Sequence, residues 1–412
     1  MKPLRTFLFW LHLSGGVAAG LVILVMSATG AALALKPQIL NRIDHDVRFV
    51  APQDGERLPA SRLIAAARIL RPDVAPASVA VDRDPSAAVA IGFGREATVY
   101  VNPYTGTVLG EGSATAQQFF RSVENWHRWL AVDGDNRTTA RMMTDAANFI
   151  FLGLAISGLF LWWPHTWLPQ HMKAILFFRR TSTGRARDFN WHNVIGFWCA
   201  PVLIVLTGTG VVMSYPWANR LLYQMAGTPL AAPAERGGAQ GERAGGGRGG
   251  RGGGPRGDRA GRGEGSRAIA LADNLDVLWA KAERQMPAWR TITMRLPDRR
   301  NAPVSFTLTD TRSWNAFARS QLTLDASTGD VTRWEPYDET SRGQKWRGWV
   351  RFGHTGELGG VAGQTLAGGA SLGGVVLVLT GLALALRRLF GWRLWRRVSL
   401  TSGGPATVAR LH

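Results

Sequence analysis

The 412-residue chain is 46% apolar, contains 17 tryptophans and carries a formal net charge of +19. Its single cysteine, Cys199, excludes a disulfide framework and any CxxCH haem-attachment site. So basic a chain points to nucleic acid or an anionic surface unless the charge is confined to particular segments, so its distribution decides.

Four runs are long and apolar enough to cross a bilayer, which needs about 20 such residues. The first covers 8–34. The basic start "MKPLR" suits a signal peptide, but the run outlasts an h-region and no A-x-A site ends it, so an uncleaved anchor is expected. Residues 36–125 follow, balanced between acids and bases, and read as a soluble segment. Within it "ASRLIAAARIL" places Leu63, Ile64, Ala67 and Leu70 on one helical face, and "ATVYVNPYTGTVLGE" alternates, turns at Thr-Gly and resumes as a second strand.

The second span is expected at 142–163. The loop after it, 164–191, holds Lys173, Arg179, Arg180, Arg185 and Arg187 against the one acid Asp188. The third span is expected at 193–214. Residues 217–345 form a second soluble segment, with strand candidates "TITMRLP" and "VSFTLTD" and a second strand–turn–strand, "QLTLDASTGDVTRWE". Its stretch 235–267 is rich in Gly and Arg. Fifteen of residues 237–265 are glycine, too little apolar surface to offset ordering, so this is expected to be a disordered insertion. The fourth span is 363–386 and a basic tail covers 387–412.

The start, the 164–191 loop and the tail are all basic and share one side if there are four spans. That side is expected to be the cytoplasm, with both soluble segments outside as small α+β domains. Long loops translocate regardless of charge, so the insertion's arginines do not oppose this. On that side there is no nucleic acid for the chain to meet, and the other partner expected is the bilayer.

The halves repeat. His12, Gly16 and Gly30 recur as His192, Gly196 and Gly210, all shifted by 180 residues. Eighteen residues make five helical turns, so each His shares a face with its far Gly. Spans two and four carry "SG" and "TG" near their inner ends (Gly158, Gly381) and histidines just before their outer ends (His127, His354). Antiparallel spans then put His12 and His192 at the inner face with Gly158 and Gly381. His127 and His354 fall at the outer face with Gly30 and Gly210. Imidazole is an axial ligand to haem iron, and a planar porphyrin needs backbone without side chains beside it. The layout is that of a four-helix membrane cytochrome with two b haems.

Other readings of the same residues are interfacial anchoring, small-residue helix packing, a zinc site, for which two histidines per face is thin, and a proton relay. His45, His165, His171 and His412 have no matched partner and read as loop or interface residues, with His165 an outside candidate at the inner haem. Cys199 reads as core, and the tryptophans as an interfacial belt.

The motifs "WLHLSGG", "NWHNVIG", "NWHRWL", "GLFLWWP" and "FGHTGE", with the paired turns "YTGTVL" and "STGDVT", resemble the PepSY-associated transmembrane family. That family includes iron-regulated inner-membrane proteins and siderophore-iron reductases of Gram-negative bacteria. The Gly/Arg insertion departs from its pattern. So does His127, which lies one helical turn further from its span than His354 does. The resemblance implies four spans, two periplasmic PepSY-like domains (36–125 and 217–345), haem b and an inner-membrane location with both termini cytoplasmic.

The activity it implies is passage of electrons from a cytoplasmic-side donor to a ferric siderophore or other ferric chelate, releasing Fe(II). Arg128, Arg137, Arg141, Arg347 and Arg351 lie near the outer face and suit haem propionates or an anionic chelate. Their bland reading is a solvated membrane edge. The rival function is a membrane-anchored PepSY module that binds a peptide or protein without redox activity. No GxGxxG follows a strand, so no nicotinamide or flavin domain is expected.

Overall fold

The computed structural model describes residues 2–94, 97–163, 172–173, 176–179, 183–229, 269–297, 302–313, 315 and 317–401. The chain divides into two compact units. One gathers Met1–Pro37, Phe119–Asn219 and Trp349–His412; the other gathers Gln38–Gln118 and Arg220–Gly348.

The first unit is a bundle of four helices, each long and apolar enough to cross a membrane. The long helix α1 (Lys2–Ala34) opens the chain. In chain order there follow the short helices α2 (Lys36–Ile43) and α3 (His45–Arg48), then α4 (Ala60–Leu70) and α5 (Ala114–Trp129). The second long helix is α6 (Arg137–Trp162) and the third is α7 (Gly184–Ser214). After α8 (Pro216–Met225), α9 (Ile269–Gln285) and α10 (Arg342–His354), the fourth long helix is α11 (Gly360–Thr401). α1 packs against α6 and α11, and α7 against the same two, so α1 and α7 are diagonal.

Each long helix outruns the apolar segment that announced it. The extension is N-terminal in α1, α6 and α7 and at both ends in α11, and Pro216 follows directly where α7 stops. Pro201 lies inside α7 without ending it, which neighbouring helices make tolerable in a membrane span.

The second unit holds one antiparallel sheet of eight strands. Its order is β4-β3-β2-β1-β5-β6-β7-β8. β1 to β4 (Ser78–Asp82, Val89–Phe93, Ala97–Val101, Val108–Glu111) come from the first soluble segment. β5 to β8 (Trp289–Arg295, Val304–Asp310, Arg319–Leu324, Val331–Glu335) come from the second. The two segments were expected to fold as separate domains; their strands instead run on as one sheet, because β1 pairs with β5 from Ser78↔Arg295 to Asp82↔Thr291.

Period-two alternation puts Val79, Ile91, Val99, Ile292, Phe306 and Leu322 on one buried face. α4 and α9 add Leu63, Ile64, Leu275 and Leu278 to that core. The two helices are tied to each other where Asp276 accepts the Ser61 backbone N–H at 3.0 Å and the Ser61 hydroxyl at 2.5 Å. Leu70, expected on the buried face of α4, is exposed, since it is the last residue of the helix.

Both Thr-Gly turns are built alike. Asn102 Oδ1 accepts the Tyr104 N–H at 2.9 Å, and Asp325 Oδ1 accepts the Ser327 N–H at 2.8 Å. Gly106 and Gly329 follow at φ 73° and 70°, a conformation that costs a side chain energy.

Candidate functional site: two histidine pairs in the helix bundle

All four histidines at matched positions lie in the bundle unit and come together in two pairs. The His12 and His192 ring centres are 6.3 Å apart with planes at 87°. Those of His127 and His354 are 6.5 Å apart at 56°. The first pair comes from the diagonal helices α1 and α7. The second comes from α5 and α10, the short helices that precede α6 and α11.

Each ring is held by a hydroxyl on a neighbouring helix. Nδ1 of His12 lies 3.0 Å from Ser157 Oγ, and that of His192 lies 3.0 Å from Thr380 Oγ1. His127 Nδ1 lies 2.9 Å from Thr29 Oγ1, and His354 Nδ1 lies 3.2 Å from Thr209 Oγ1. The three threonine hydroxyls donate to carbonyls of their own helices, at Val25, Val205 and Val376, over 2.6 to 2.7 Å. Ser157 Oγ donates to Leu154 O at 3.3 Å. With its proton so committed, each hydroxyl oxygen accepts from Nδ1–H. The hydrogen-bond network therefore assigns the tautomer that leaves Nε2 with a free lone pair. His354 Nδ1 donates also to Leu206 O at 2.8 Å, the same tautomer. Burial, and after it the neighbouring His354, holds the His127 imidazole down at about 4, so it is neutral at physiological pH.

The glycines explain how the rings fit. A Cβ on Gly158 would lie 3.2 Å from His12 Cε1, one on Gly381 3.2 Å from His192 Cε1, and one on Gly30 3.3 Å from His127 Cε1. Three of the four singled-out glycines are thus seats for an imidazole on another helix. Gly210 is the exception. A Cβ there would lie 2.8 Å from Asn148 Nδ2, and that amide donates to Thr207 O at 3.0 Å. Gly210 was expected beside the outer histidines; the atoms nearest to a Cβ there are those of a buried amide that ties α6 to α7.

The His12 end of the bundle opens into a cavity of about 1180 Å³ that both His12 and His192 line. The family model for the PepSY-associated TM region matches residues 9–388. The chain belongs to this family. No curated protein matches it. As a PepSY-associated TM protein with four helices able to cross a bilayer, it is a multi-pass membrane protein.

The arginines fall into distinct settings. Arg128 and Arg137 stack over the Trp129 ring at 4.3 and 3.8 Å, and Arg128 also meets Glu124 at 3.3 Å. Arg137 Nε is buried without an acceptor. Arg141 pairs with Asp145 at 3.6 Å. Arg351 lies over Phe352 in the bundle unit, whereas Arg347 belongs to the sheet-bearing unit. Cys199, read as core, is half-buried and packs against Gly373 of α11. His45 is exposed beside Asp46. His165, His171, His412, Arg180 and the insertion 235–267 lie outside the described residues.

The four hydroxyls were the part that sequence reasoning missed. Their signal was present: Thr29, Ser157, Thr209 and Thr380 each immediately precede one of the four glycines. In each dipeptide the first residue orients a histidine, and the second makes room for an imidazole at Gly30, Gly158 and Gly381 and for the Asn148 amide at Gly210.

Proposed function

We propose that this protein is a di-haem b electron-transfer protein of a bacterial inner membrane. It passes electrons from a cytoplasmic-side donor to a ferric siderophore or other ferric chelate in the periplasm, whose Fe(III) takes one electron and leaves the chelator as Fe(II). The observation that carries this reading is the pair of ring separations, 6.3 and 6.5 Å. An imidazole nitrogen lies about 1.1 Å from its ring centre and about 2.0–2.1 Å from a bound metal, so two rings that face each other across one ion have centres about 6.3 Å apart.

Two protein ligands suit a metal whose other ligands come with it, as in a porphyrin; among the described residues no group of three or more His, Cys, Asp and Glu gathers. His12 and His192 would hold the inner haem, and His127 and His354 the outer one. Ser157, Thr380, Thr29 and Thr209 keep the proton on each Nδ1 and aim each ring, a task that hydrogen-bonded neighbours of metal ligands commonly perform. The Arg137 Nε without an acceptor is consistent with an anionic group at the outer end. Bound haem iron exchanges one electron at a time between Fe(III) and Fe(II), and this is the chemistry it would supply. Seventeen residues separate His12 from Thr29, about 25 Å along a helix, so the two pairs support one site near each membrane face.

The basic residues Lys173, Arg179, Arg185 and Arg187 favour a cytoplasmic His12 end, with the sheet unit as a pair of fused periplasmic PepSY-like domains. The 180-residue recurrence and the repeated ring–hydroxyl pairing support an internal duplication. The test is a pyridine haemochrome assay on protein purified from haem-replete cells. Two haems per chain are expected, both extracted by acid-acetone. About zero haem would sink the proposal.

A further inference from the structure

The cavity at the His12 end offers more polar recognition than its two imidazoles account for. Trp162 lines it and is 8% exposed, yet its indole Nε1 is buried with no acceptor among the described residues. The ring is fixed by stacking on Phe197, with centres 4.1 Å apart and planes at 20°. An N–H left in this state has lost its water without gaining the hydrogen bond that would offset that loss.

Two arginines line the same cavity without a carboxylate partner among the described residues, Arg185 and Arg388. Arg185 stands in the first turn of α7, where the helix dipole disfavours a cation. Arg388 lies over the rings of Phe9 and Trp10, while its neighbour Arg387 takes the available acid, Asp188, at 3.0 Å. Arg5, also at the cavity, is already used: it donates to Leu161 O at 2.6 Å. One buried donor and two unpaired cations around a cavity that is otherwise mostly apolar make a site for an anion with good acceptor oxygens.

We infer that Trp162, Arg185 and Arg388 form a carboxylate subsite that receives the propionates of the haem held by His12 and His192. This rests on the di-haem reading. Carboxylate is the chemistry that accepts both an indole N–H and guanidinium donors, and charge-assisted contacts of this kind are the stronger class of hydrogen bond.

The test uses the holoprotein. Release of haem to excess apomyoglobin and the midpoint potential of each haem are measured for wild type, Trp162→Phe, Arg388→Gln and the charge control Arg387→Gln. Trp162→Phe keeps the stacked ring and removes only the N–H. It is expected to speed release of one haem about tenfold, a fold-change typical of losing a hydrogen bond to a charged group. Arg388→Gln is expected to make the potential of that same haem more negative, and Arg387→Gln to leave both haems as they are. Unchanged release and potential in the Trp162 and Arg388 variants, or equal effects on both haems, would overturn the subsite while leaving a di-haem protein. The same unchanged result is what binding of a lipid phosphate or a free anion at these residues would give. A wild-type protein without haem would instead remove the reading beneath it.

Discussion

His192 and Thr380 face each other from α7 and α11, Nδ1 to Oγ1 at 3.0 Å. The hydroxyl's own proton is spent on Val376 O at 2.7 Å, so the ring must be the donor. Thr380→Val keeps the shape and removes the acceptor. On the di-haem proposal, haem retention at the His12 end is expected to weaken at least tenfold, the usual scale for losing a partner of a metal ligand. Thr380→Ser should restore it. Equal retention in the Val variant and wild type, measured by haem release, would show that the hydroxyl plays no orienting part.

Gly381 and Gly16 make a matched comparison. A Cβ on Gly381 meets His192 Cε1 at 3.2 Å, whereas one on Gly16 meets nothing within 4 Å. Gly381→Ala should displace the ring and lower stability by about 1–3 kcal/mol, the range for overpacking a filled interior. Gly16→Ala should be neutral or slightly stabilising. Thermal unfolding in detergent reads both, and the idea fails if the two melt alike.

Gly210 and Asn148 should behave as a coupled pair. Gly210→Ala drives a methyl toward the Asn148 amide and is expected to destabilise the bundle as a whole. Adding Asn148→Ala removes the obstacle and should recover part of that loss. Some loss would remain, because the hydrogen bond to Thr207 O is gone; such bonds between membrane helices average about 0.6 kcal/mol. A double-mutant cycle gives the coupling directly. Strict additivity would count against the close packing described.

Asp325 gives the sheet unit an acid-sensitive turn. Its carboxylate accepts the Ser327 hydroxyl and the N–H groups of Ser327 and Thr328, which holds it down at about 2 from an ordinary 3.8. A depressed folded value means that the stabilisation is complete above about 3.8 and is lost as pH falls toward about 2. Asp325→Asn should abolish this turn's share of the pH dependence within that window. Carboxyl NMR of Asp325 in the full chain is the direct check, and a midpoint near 3.8 would contradict the hydrogen-bonded turn.

Some of this architecture was legible in the residues. The apolar runs announced four membrane helices because twenty consecutive apolar residues have few other uses. The Thr-Gly turns announced two hairpins because positive φ after a turn selects glycine. The continuous sheet was not legible: β1 and β5 lie more than 200 residues apart, and no local pattern says which edges will pair. At the site, identical offsets picked out His12 and His192, and position just before the second and fourth spans picked out His127 and His354. What the offsets could not convey is which helix neighbours which. Gly30 and Gly210 occupy equivalent positions, yet one faces His127 and the other Asn148. That difference arises from side chains on other helices, which differ between the two halves.

The seam between β1 and β5 also sets a schedule for synthesis. Asp82 leaves the ribosome long before Thr291, its partner across the seam. At about 5–20 residues per second, β1 waits roughly 10–40 s as an open edge while two further membrane helices are made. An open edge with a hydrophobic face beside it is a template for wrong pairing. Newborn chains are therefore most vulnerable in this interval, and the cell's quality control must shelter a half-built sheet until its other half arrives.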